Sequence, residues 1–314
     1  MSSIQICRYS AEFLGDWNHW VSLSKNGTFL FQRDYMDYHA DRFEDHSLIF
    51  KRDNKLIAIL PANQTGNQIS SHGGLSYGGL VTDSNMTTPV MLELVDALGS
   101  YMKEHNLKRL IYKAVPWFYH QTPASEDLYA LHLLGAKLYR RDVSTTVDLR
   151  NRLPIQTRRE RGARKAKAAG VTIRESQDLE SFWQILAENL SSRHGVNPTH
   201  SASEIRLLAS RFSGKIRLFG AFLSDQLIAG TVIFETTTVA HAQYISTNSL
   251  GRQLSAMDLL FSTLLDETFA TKLYFDFGIS TTEGGRVLNR GLIEQKEGFG
   301  GRATVHDFYQ WEAP

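Results

Sequence analysis

The sequence predicts an α/β chain with mixed sheets, folded as two tandem modules of similar element order. Its 314 residues exceed the usual size of one domain. Hydrophobic residues make up 42% and charged residues 21%, which are globular proportions and exclude a wholly disordered chain. The same order of elements recurs on both sides of residue 150, so we predict modules over residues 1–150 and 151–314.

The second module has the clearer periodicity. Asp178 begins a helix whose apolar residues recur at helical spacing, and Ser201 or Ser203 begins another. Three strands, an apolar helix, a strand, a short helix and a final strand follow. In that order they are Ile216–Leu223, Leu227–Phe234, Val239–Ser246, Ala256–Phe269, Leu273–Gly278, Leu292–Lys296 and Thr304–Trp311.

The first module repeats this order only at the level of elements, without a residue-level repeat. Its first strand is predicted at Ile4–Tyr9, and Pro89 occupies the first turn of a helix that extends to Glu104. A helix at Asp34–Phe43 and a glycine-rich strand region at Ile69–Val81 are also expected.

Net charge, cysteine count and the length of apolar runs exclude several classes of protein. A net charge of +1 gives no overall field, so an anionic ligand needs a local basic patch. Cys7 is the single cysteine, which excludes an internal disulfide and a CxxC metal pair and fits a reducing cytoplasm. We expect no signal peptide and no membrane span, because no long apolar run occurs.

Residues 158–167 form a basic run between Pro154 and Gly170, predicted as a linker helix. A solvated charged helix and a surface for the phosphates of a cofactor, nucleotide-sugar or RNA both explain it. The sequence leaves the two interpretations open.

A strand-to-helix passage over residues 242–256 is the candidate cofactor turn. Unpaired N–H groups and the dipole at a helix start favour a pyrophosphate. Gly251 permits close backbone approach, Arg252 supplies a charged donor, and Ser255 and Ala256 leave room. On spacing alone, an ordinary helix entry with a turn glycine is the better interpretation.

The stretch Asn248–Ala256 resembles, without strict match, the Q/R-x-x-G-x-G/A pattern at which GNAT superfamily enzymes bind coenzyme A. Tyr274–Ser280 and Gln295–Gly301 resemble the bacterial Fem-type (FemAB-like) transferases, which often carry a lysine before a Gly-Phe-Gly-Gly turn. The resemblance implies two GNAT-like modules, with acyl-CoA bound by the second. The implied cofactor-binding residues are Ile245, Gly251, Arg252, Gln253, Ser255, Ala256 and Lys296.

Catalysis requires that an acceptor ammonium lose a proton before it attacks the thioester. Asp276 lies between aromatic residues, where a carboxylate is either paired or functional. His241 and Tyr244 share the preceding strand, and side-chain alternation predicts that they do not both face the site. Many GNAT enzymes carry a tyrosine at the position of Glu294, where it acts as the general acid toward the leaving thiolate. Because this sequence has a glutamate there, the role of general acid is in doubt.

Candidate acceptor residues lie in two polar segments. Arg193, His194 and His200 belong to the loop after the first helix of the second module, and His72 and Tyr77 belong to the glycine-rich segment of the first. The helix entry at Asp83–Pro89 carries an acid and no base, so the cofactor is assigned to the second module. We expect no metal, because no metal-binding motif occurs.

The resemblance implies an N-acyltransferase that moves an acetyl or other acyl group from coenzyme A directly to a primary amine on an amino sugar, nucleotide-sugar or amino acid. One alternative is an aminoacyl-tRNA-dependent peptidyltransferase of cell-wall synthesis, whose RNA would contact residues 158–167. Another is a non-catalytic binding module. We expect that RNA is not a substrate, and the sequence leaves a homo-oligomer open.

Overall fold

The computed structural model of the chain describes residues 3–194 and 198–313, without the side chains of residues 192–194. Two compact units make up the fold. The first contains Met1–Asp142, Glu283–Arg286 and Val305–Pro314, and the second contains Val143–Thr282 and Val287–Thr304. The linear boundary at residue 150 stays a prediction, and a linear pattern has no signal for the two short segments that return to the first unit.

The helices have the following bounds: α1 Leu14–Leu23, α2 Arg33–Met36, α3 Thr88–Glu104, α4 Glu126–Leu133, α5 Thr157–Ala168, α6 Leu179–His194, α7 Ala202–Arg211, α8 Ser249–Leu254, α9 Ala256–Thr263 and α10 Arg290–Glu297. The strands are β1 Gln5–Arg8, β2 Glu44–Asp45, β3 Leu48–Arg52, β4 Lys55–Leu60, β5 Asn63–Thr65, β6 Gln68–Ser70, β7 Val81–Thr82, β8 Arg109–Lys113, β9 Lys137–Asp148, β10 Thr172–Ser176, β11 Ile216–Leu223, β12 Gln226–Glu235, β13 Val239–Thr247, β14 Tyr274–Ile279, β15 Thr281–Thr282, β16 Val287–Leu288 and β17 Arg302–Glu312. The mixed α/β class is confirmed.

The first unit contains an antiparallel sheet in the order β1-β3-β4-β7 and further strands β2, β5, β6 and β8. Helix α3 begins with the predicted proline in its first turn and buries Leu94, Leu98 and Met102 in the core. The helix predicted at Asp34–Phe43 is wrong, because α2 ends at Met36 and continues only as a short 3₁₀ turn.

In the second unit, strands β10, β11, β12 and β13 pair as an antiparallel sheet, and β13 pairs parallel to β14. The second-unit part of β9 pairs antiparallel with β14. Helix α9 packs with α5 on one side of this sheet, where Phe261, Phe275 and Phe277 share the core. Helix α6 contacts β13. Ser201 caps α7 through a capping box with Glu204, as the sequence suggests.

Candidate functional site

Strands β13 and β14 pair over only three positions, the last of which is His241 opposite Asp276. Both strands continue past this point, β13 to Thr247 and β14 to Ile279. The edge of β13 beyond His241 therefore makes no ladder bonds to β14. Backbone N–H and C=O groups along such an edge are available to pair with an extended ligand.

A cavity of about 580 Å³ opens beside this unpaired edge. Its walls come from α5, α6, the end of β13, the starts of α8 and α9, the end of β14, and α10. Most of the lining is apolar, and the charged side chains in it are Arg159, Arg252, Asp258 and Lys296. A long, largely apolar ligand with an anionic end matches this lining.

A buried carboxylate lies at the point where the two strands part. Asp276 is 0% exposed, and its Oδ1 accepts hydrogen bonds from Ser144 Oγ at 2.5 Å and Thr146 Oγ1 at 3.0 Å. Its Oδ2 lies 2.7 Å from His241 Nδ1. An ionised Asp276 selects the imidazole tautomer that donates from Nδ1, which leaves the acceptor lone pair on Nε2. The His241 side chain keeps 14% of its surface exposed.

The aromatic neighbours of Asp276 lie on the opposite face of β14. Phe275 and Phe277 are buried in the core on the α9 side, opposite the Asp276 side chain. Asp276 itself does not line the cavity. His241 is not among the lining residues either, and the lining residues of these two strands that are nearest to the pair in sequence are Phe277 and Ile245.

A β-bulge brings His241 and Tyr244 to the same side of β13. Val232 pairs with Tyr244 and Ile233 with Ala242, so Gln243 is an extra residue in β13. Ala242 joins the core on the α9 side, whereas Tyr244 packs against Trp183 of α6 with ring centroids 4.9 Å apart. The regular alternation assumed for His241 and Tyr244 does not hold, because the bulge resets it, and neither residue is among the lining residues of the cavity.

Lys296 fixes the end of β14. Its Nζ donates to Gly278 O at 2.7 Å, Ile279 O at 2.8 Å and Ser280 Oγ at 3.0 Å. Burial lowers the pKa of Lys296 from 10.5 to about 8, and the nearby Asp276 charge opposes part of that effect. Since three acceptors use the three N–H donors, Lys296 holds the cavity wall in place.

The lowered pKa of Lys296 predicts a pH-dependent stability. Between about pH 8 and 10.5 the folded state binds fewer protons at Lys296 than the unfolded state does, so its contribution to stability grows as pH rises. The unfolding free energy of the wild type, relative to Lys296→Met, should increase by about 3 kcal/mol across this window. Urea unfolding at several pH values measures the difference. The exposed Lys167→Met should show no such trend, and a flat difference for Lys296→Met would contradict the account.

Comparisons with known proteins agree with this geometry. Residues 156–284 match the family model described as an acetyltransferase (GNAT) domain. FemX has 12% identity and a TM-score of 0.67, over 96% of each chain. The chain has a GNAT-like, Fem-related fold. This likeness confirms the resemblance predicted from the sequence.

Two further structures share the GNAT-like fold. A tandem GNAT protein from the clavulanic acid biosynthesis pathway has 12% identity over 99% of each chain, with a TM-score of 0.52. L-PGS from Bacillus licheniformis has 12% identity over 96% of this chain and 91% of its own, with a TM-score of 0.60. At such identities the likeness concerns the fold. No curated protein matches the sequence.

The cofactor residues expected from the GNAT pattern are only partly brought together. Of those residues, Ile245, Gly251, Arg252, Ser255 and Lys296 line the cavity. Gln253 is exposed and Ala256 is buried in the core, and neither belongs to the lining.

The sequence predicts a turn containing Gly251 followed by one helix, whereas the structure has two short helices, α8 and α9, and Gly251 lies within α8. Asn248 caps α8 and accepts from the Gly251 N–H at 2.9 Å, so that N–H is already bonded. Ser255 takes a left-handed conformation, with φ of 60°, and starts α9 at the cavity. A Cβ on Gly251 would lie 2.3 Å from Ile228 O. Gly251 is thus required by packing against the sheet.

Two charged residues of the cavity were missed as site residues. Asp258 lies in the first turn of α9, and its Oδ1 accepts from Arg159 NH1 at 2.9 Å. Burial raises the pKa of Asp258, and its bond to Arg159 opposes the rise. Arg159 belongs to the basic run of residues 158–167, and this run was the feature of the sequence from which Arg159 could have been identified as a site residue. The Asp258 position had none, because one acid in an apolar helix is ordinary.

The predicted acceptor residues fall in different places. In the second unit, Tyr244 OH is hydrogen-bonded to His200 Nδ1, and Trp183 Nε1 donates to His200 O at 3.0 Å. The side chains of Arg193 and His194 lie outside the described residues. Glu294 is exposed on α10 and is not part of the cavity lining.

His72 and Tyr77 are buried in the first unit. Lys113 Nζ donates to the carbonyls of His72 and Gly73, both at 3.1 Å, and so holds the glycine-rich loop. Burial lowers the pKa of His72 to about 3. Tyr77 OH donates to Thr28 Oγ1 at 3.1 Å. These contacts give both residues a role in the loop's structure.

Over residues 3–194 and 198–313, no set of three or more His, Cys, Asp or Glu side chains is arranged to hold a metal ion. In the same ranges, none of the helices has the length and apolar character needed to cross a membrane.

Proposed function

We propose that the chain is an N-acyltransferase that moves an acetyl or other acyl group from coenzyme A to a primary amine, such as that of an amino sugar or nucleotide-sugar. The observation that carries the proposal is the cavity beside the unpaired edge of β13, whose lining includes Phe277, the residue that follows Asp276 in β14. An acyl donor in that cavity would place its carbonyl where the two strands part.

The lining suits the successive parts of an acyl-CoA. The pantetheine arm would lie along β13, whose free edge pairs with its amides, against apolar side chains such as Ile245, Phe277 and Phe299. The pyrophosphate would meet the start of α9 at Ser255 and the Arg252 guanidinium. Arg252 NH1 already donates to Thr247 O at 2.8 Å, which fixes its side chain beside the cavity.

His241 is the proposed base for the acceptor. Its Nε2 takes a proton from the acceptor ammonium, directly or through water, and Asp276 stabilises the imidazolium that forms. The free amine attacks the thioester carbon, and the tetrahedral intermediate expels the coenzyme A thiolate. As the intermediate collapses, the nitrogen gives its second proton to the departing thiolate, which yields an amide and free coenzyme A thiol, and His241 releases the first proton to solvent.

A Fem-type transfer from aminoacyl-tRNA is the second candidate, and Asp258 is the observation that favours it. This carboxylate lies in the first turn of α9, where it weakens the attraction for a pyrophosphate. Arg159 offsets its charge. An aminoacyl ester would use the same cavity and base without a pyrophosphate at α9. A non-catalytic module is disfavoured, because it gives no reason for a buried Asp276 aligned on His241.

Arg252→Ala should weaken acetyl-CoA binding by about 1.5–3 kcal/mol, the usual contribution of a hydrogen bond to a charged group. Isothermal titration calorimetry measures the change. Arg174→Ala is the matched control, because Arg174 pairs with Asp225 on the surface and does not line the cavity. Unchanged affinity would remove Arg252 from the site, and a chain that binds aminoacyl-tRNA but no acetyl-CoA would support the second candidate.

A further inference from the structure

Helix α5 carries a stripe of cations along one flank. Arg158, Arg161 and Lys165 are all exposed and follow one another at spacings of three and four residues, so they lie on the same part of the helix surface. At 1.5 Å per residue the stripe extends over about 10 Å. Gly162 and Ala166 form the buried face of the helix.

The stripe lacks the acidic partners that other arginines of the second unit have. Surface pairs in that unit join Arg150 to Asp148, Arg152 to Asp266, Arg174 to Asp225 and Arg217 to Glu175. Across the described side chains, Arg158, Arg161 and Lys165 form no ion pair, and Glu160 is the one acid in α5. Arg158 acts at longer range on Asp258, where its charge opposes the rise in pKa of that carboxyl, so the positive charge of the stripe is offset only in part.

Helix α5 is also fixed at the edge of the cavity. A Cβ on Gly162 would lie 2.0 Å from Asp258 Oδ2, so the glycine allows close approach to α9. Arg159 lines the cavity, and Lys165 Nζ donates to Gln253 O at 2.6 Å, next to the cavity residue Arg252. A ligand that leaves the cavity on this side meets the stripe.

We infer that Arg158, Arg161 and Lys165 bind phosphate of the nucleotide carrier that delivers the acyl group, at a place separate from Arg252 and the start of α9. The inference rests on the proposed function for the identity of the cavity ligand. Two sources have this chemistry, namely the phosphorylated adenosine end of coenzyme A and the sugar–phosphate backbone of an RNA. Coenzyme A would place its 3′-phosphate beyond the pyrophosphate and outside the cavity, and an RNA would place its backbone phosphates there.

The test compares Arg158→Gln/Arg161→Gln with Arg164→Gln/Lys167→Gln, which removes two exposed charges of α5 outside the stripe. The full chain is titrated with coenzyme A, with 3′-dephospho-coenzyme A and with a tRNA acceptor-stem RNA, at several salt concentrations. The first variant should bind its carrier about five- to twentyfold more weakly than the control does. If RNA is the carrier, the slope of log K against log salt should also fall by about 1.4 to 1.8, the lower value for single-stranded and the higher for duplex phosphates.

The three titrations distinguish coenzyme A from RNA as the carrier, and they distinguish failure of this inference from failure of the proposed function. A loss seen with coenzyme A, and smaller with its dephospho form, identifies the adenosine end, and a loss seen only with RNA identifies the backbone. Equal binding by both variants to every probe overturns the inference, whether or not acyl transfer occurs. If the first variant binds more weakly but the wild type transfers no acyl group, the inference about the stripe stands and the proposed function is contradicted.

Discussion

Replacing His241 with asparagine is expected to lower kcat by about 10²- to 10⁴-fold, the usual contribution of general base catalysis, while the melting temperature changes little. Asparagine can still donate to Asp276 from near the position of Nδ1, but it has no group in place of Nε2. Release of free thiol measures the rate, and calorimetry measures the melting temperature. The exposed His132→Asn is the control and should leave both unchanged.

Asp276→Asn tests the carboxylate in both a catalytic and a structural role. It should cause a similar loss of rate, because the imidazolium loses its charged partner. It should also lower the melting temperature, since the 0% exposed carboxylate accepts from Ser144 and Thr146 as well as His241. A normal rate for His241→Asn would contradict the assignment of the base and direct attention to Tyr244.

Gly251→Ala is expected to have the second large effect. The added methyl would meet Ile228 O at 2.3 Å and Thr247 Oγ1 at 2.4 Å, so α8 must move away from the sheet. We expect a loss of about 1–3 kcal/mol in stability from overpacking. We also expect acetyl-CoA binding at least about tenfold weaker, because a displaced α8 no longer holds Arg252 in place.

Gly291→Ala is the matched control for this change. It adds the same methyl to α10, where the nearest atom is Asn289 Oδ1 at 3.9 Å. Alanine favours helix over glycine by up to about 1 kcal/mol, so this variant should be as stable as the wild type or more so. Urea unfolding and calorimetric titration test both variants. Equal behaviour of the two would show that α8 tolerates displacement.

Several parts of the fold could be predicted because local patterns determine them. Period-two alternation, the proline of α3 and the serine cap of α7 defined elements of the second unit and the longest helix of the first. The Gln243 bulge could not be predicted, since a regular strand accepts the same residues. This bulge is the reason why the regular alternation assumed for His241 and Tyr244 does not hold.

The candidate site was predictable only where charge or spacing was unusual. Arg252 and Asp276 stood out as charges beside a turn and within an aromatic strand. Ser144, Thr146 and Asp258 had no such signal, because hydroxyls in a strand and one acid in an apolar helix are common. Their partners come from elements distant in the chain, and only the folded structure brings them together.

A transfer assay with the purified full chain tests directly whether the protein moves an acyl group from coenzyme A to an amine. Isotopically labelled acetyl-CoA is supplied with a panel of amino sugars, nucleotide-sugars and amino acids, and product masses are measured together with thiol release. An acyl-CoA-dependent enzyme should give an N-acetylated product in a one-to-one ratio with free coenzyme A. The claim would be contradicted if labelled acetyl-CoA neither bound nor reacted while aminoacyl-tRNA gave a peptide product under the same conditions.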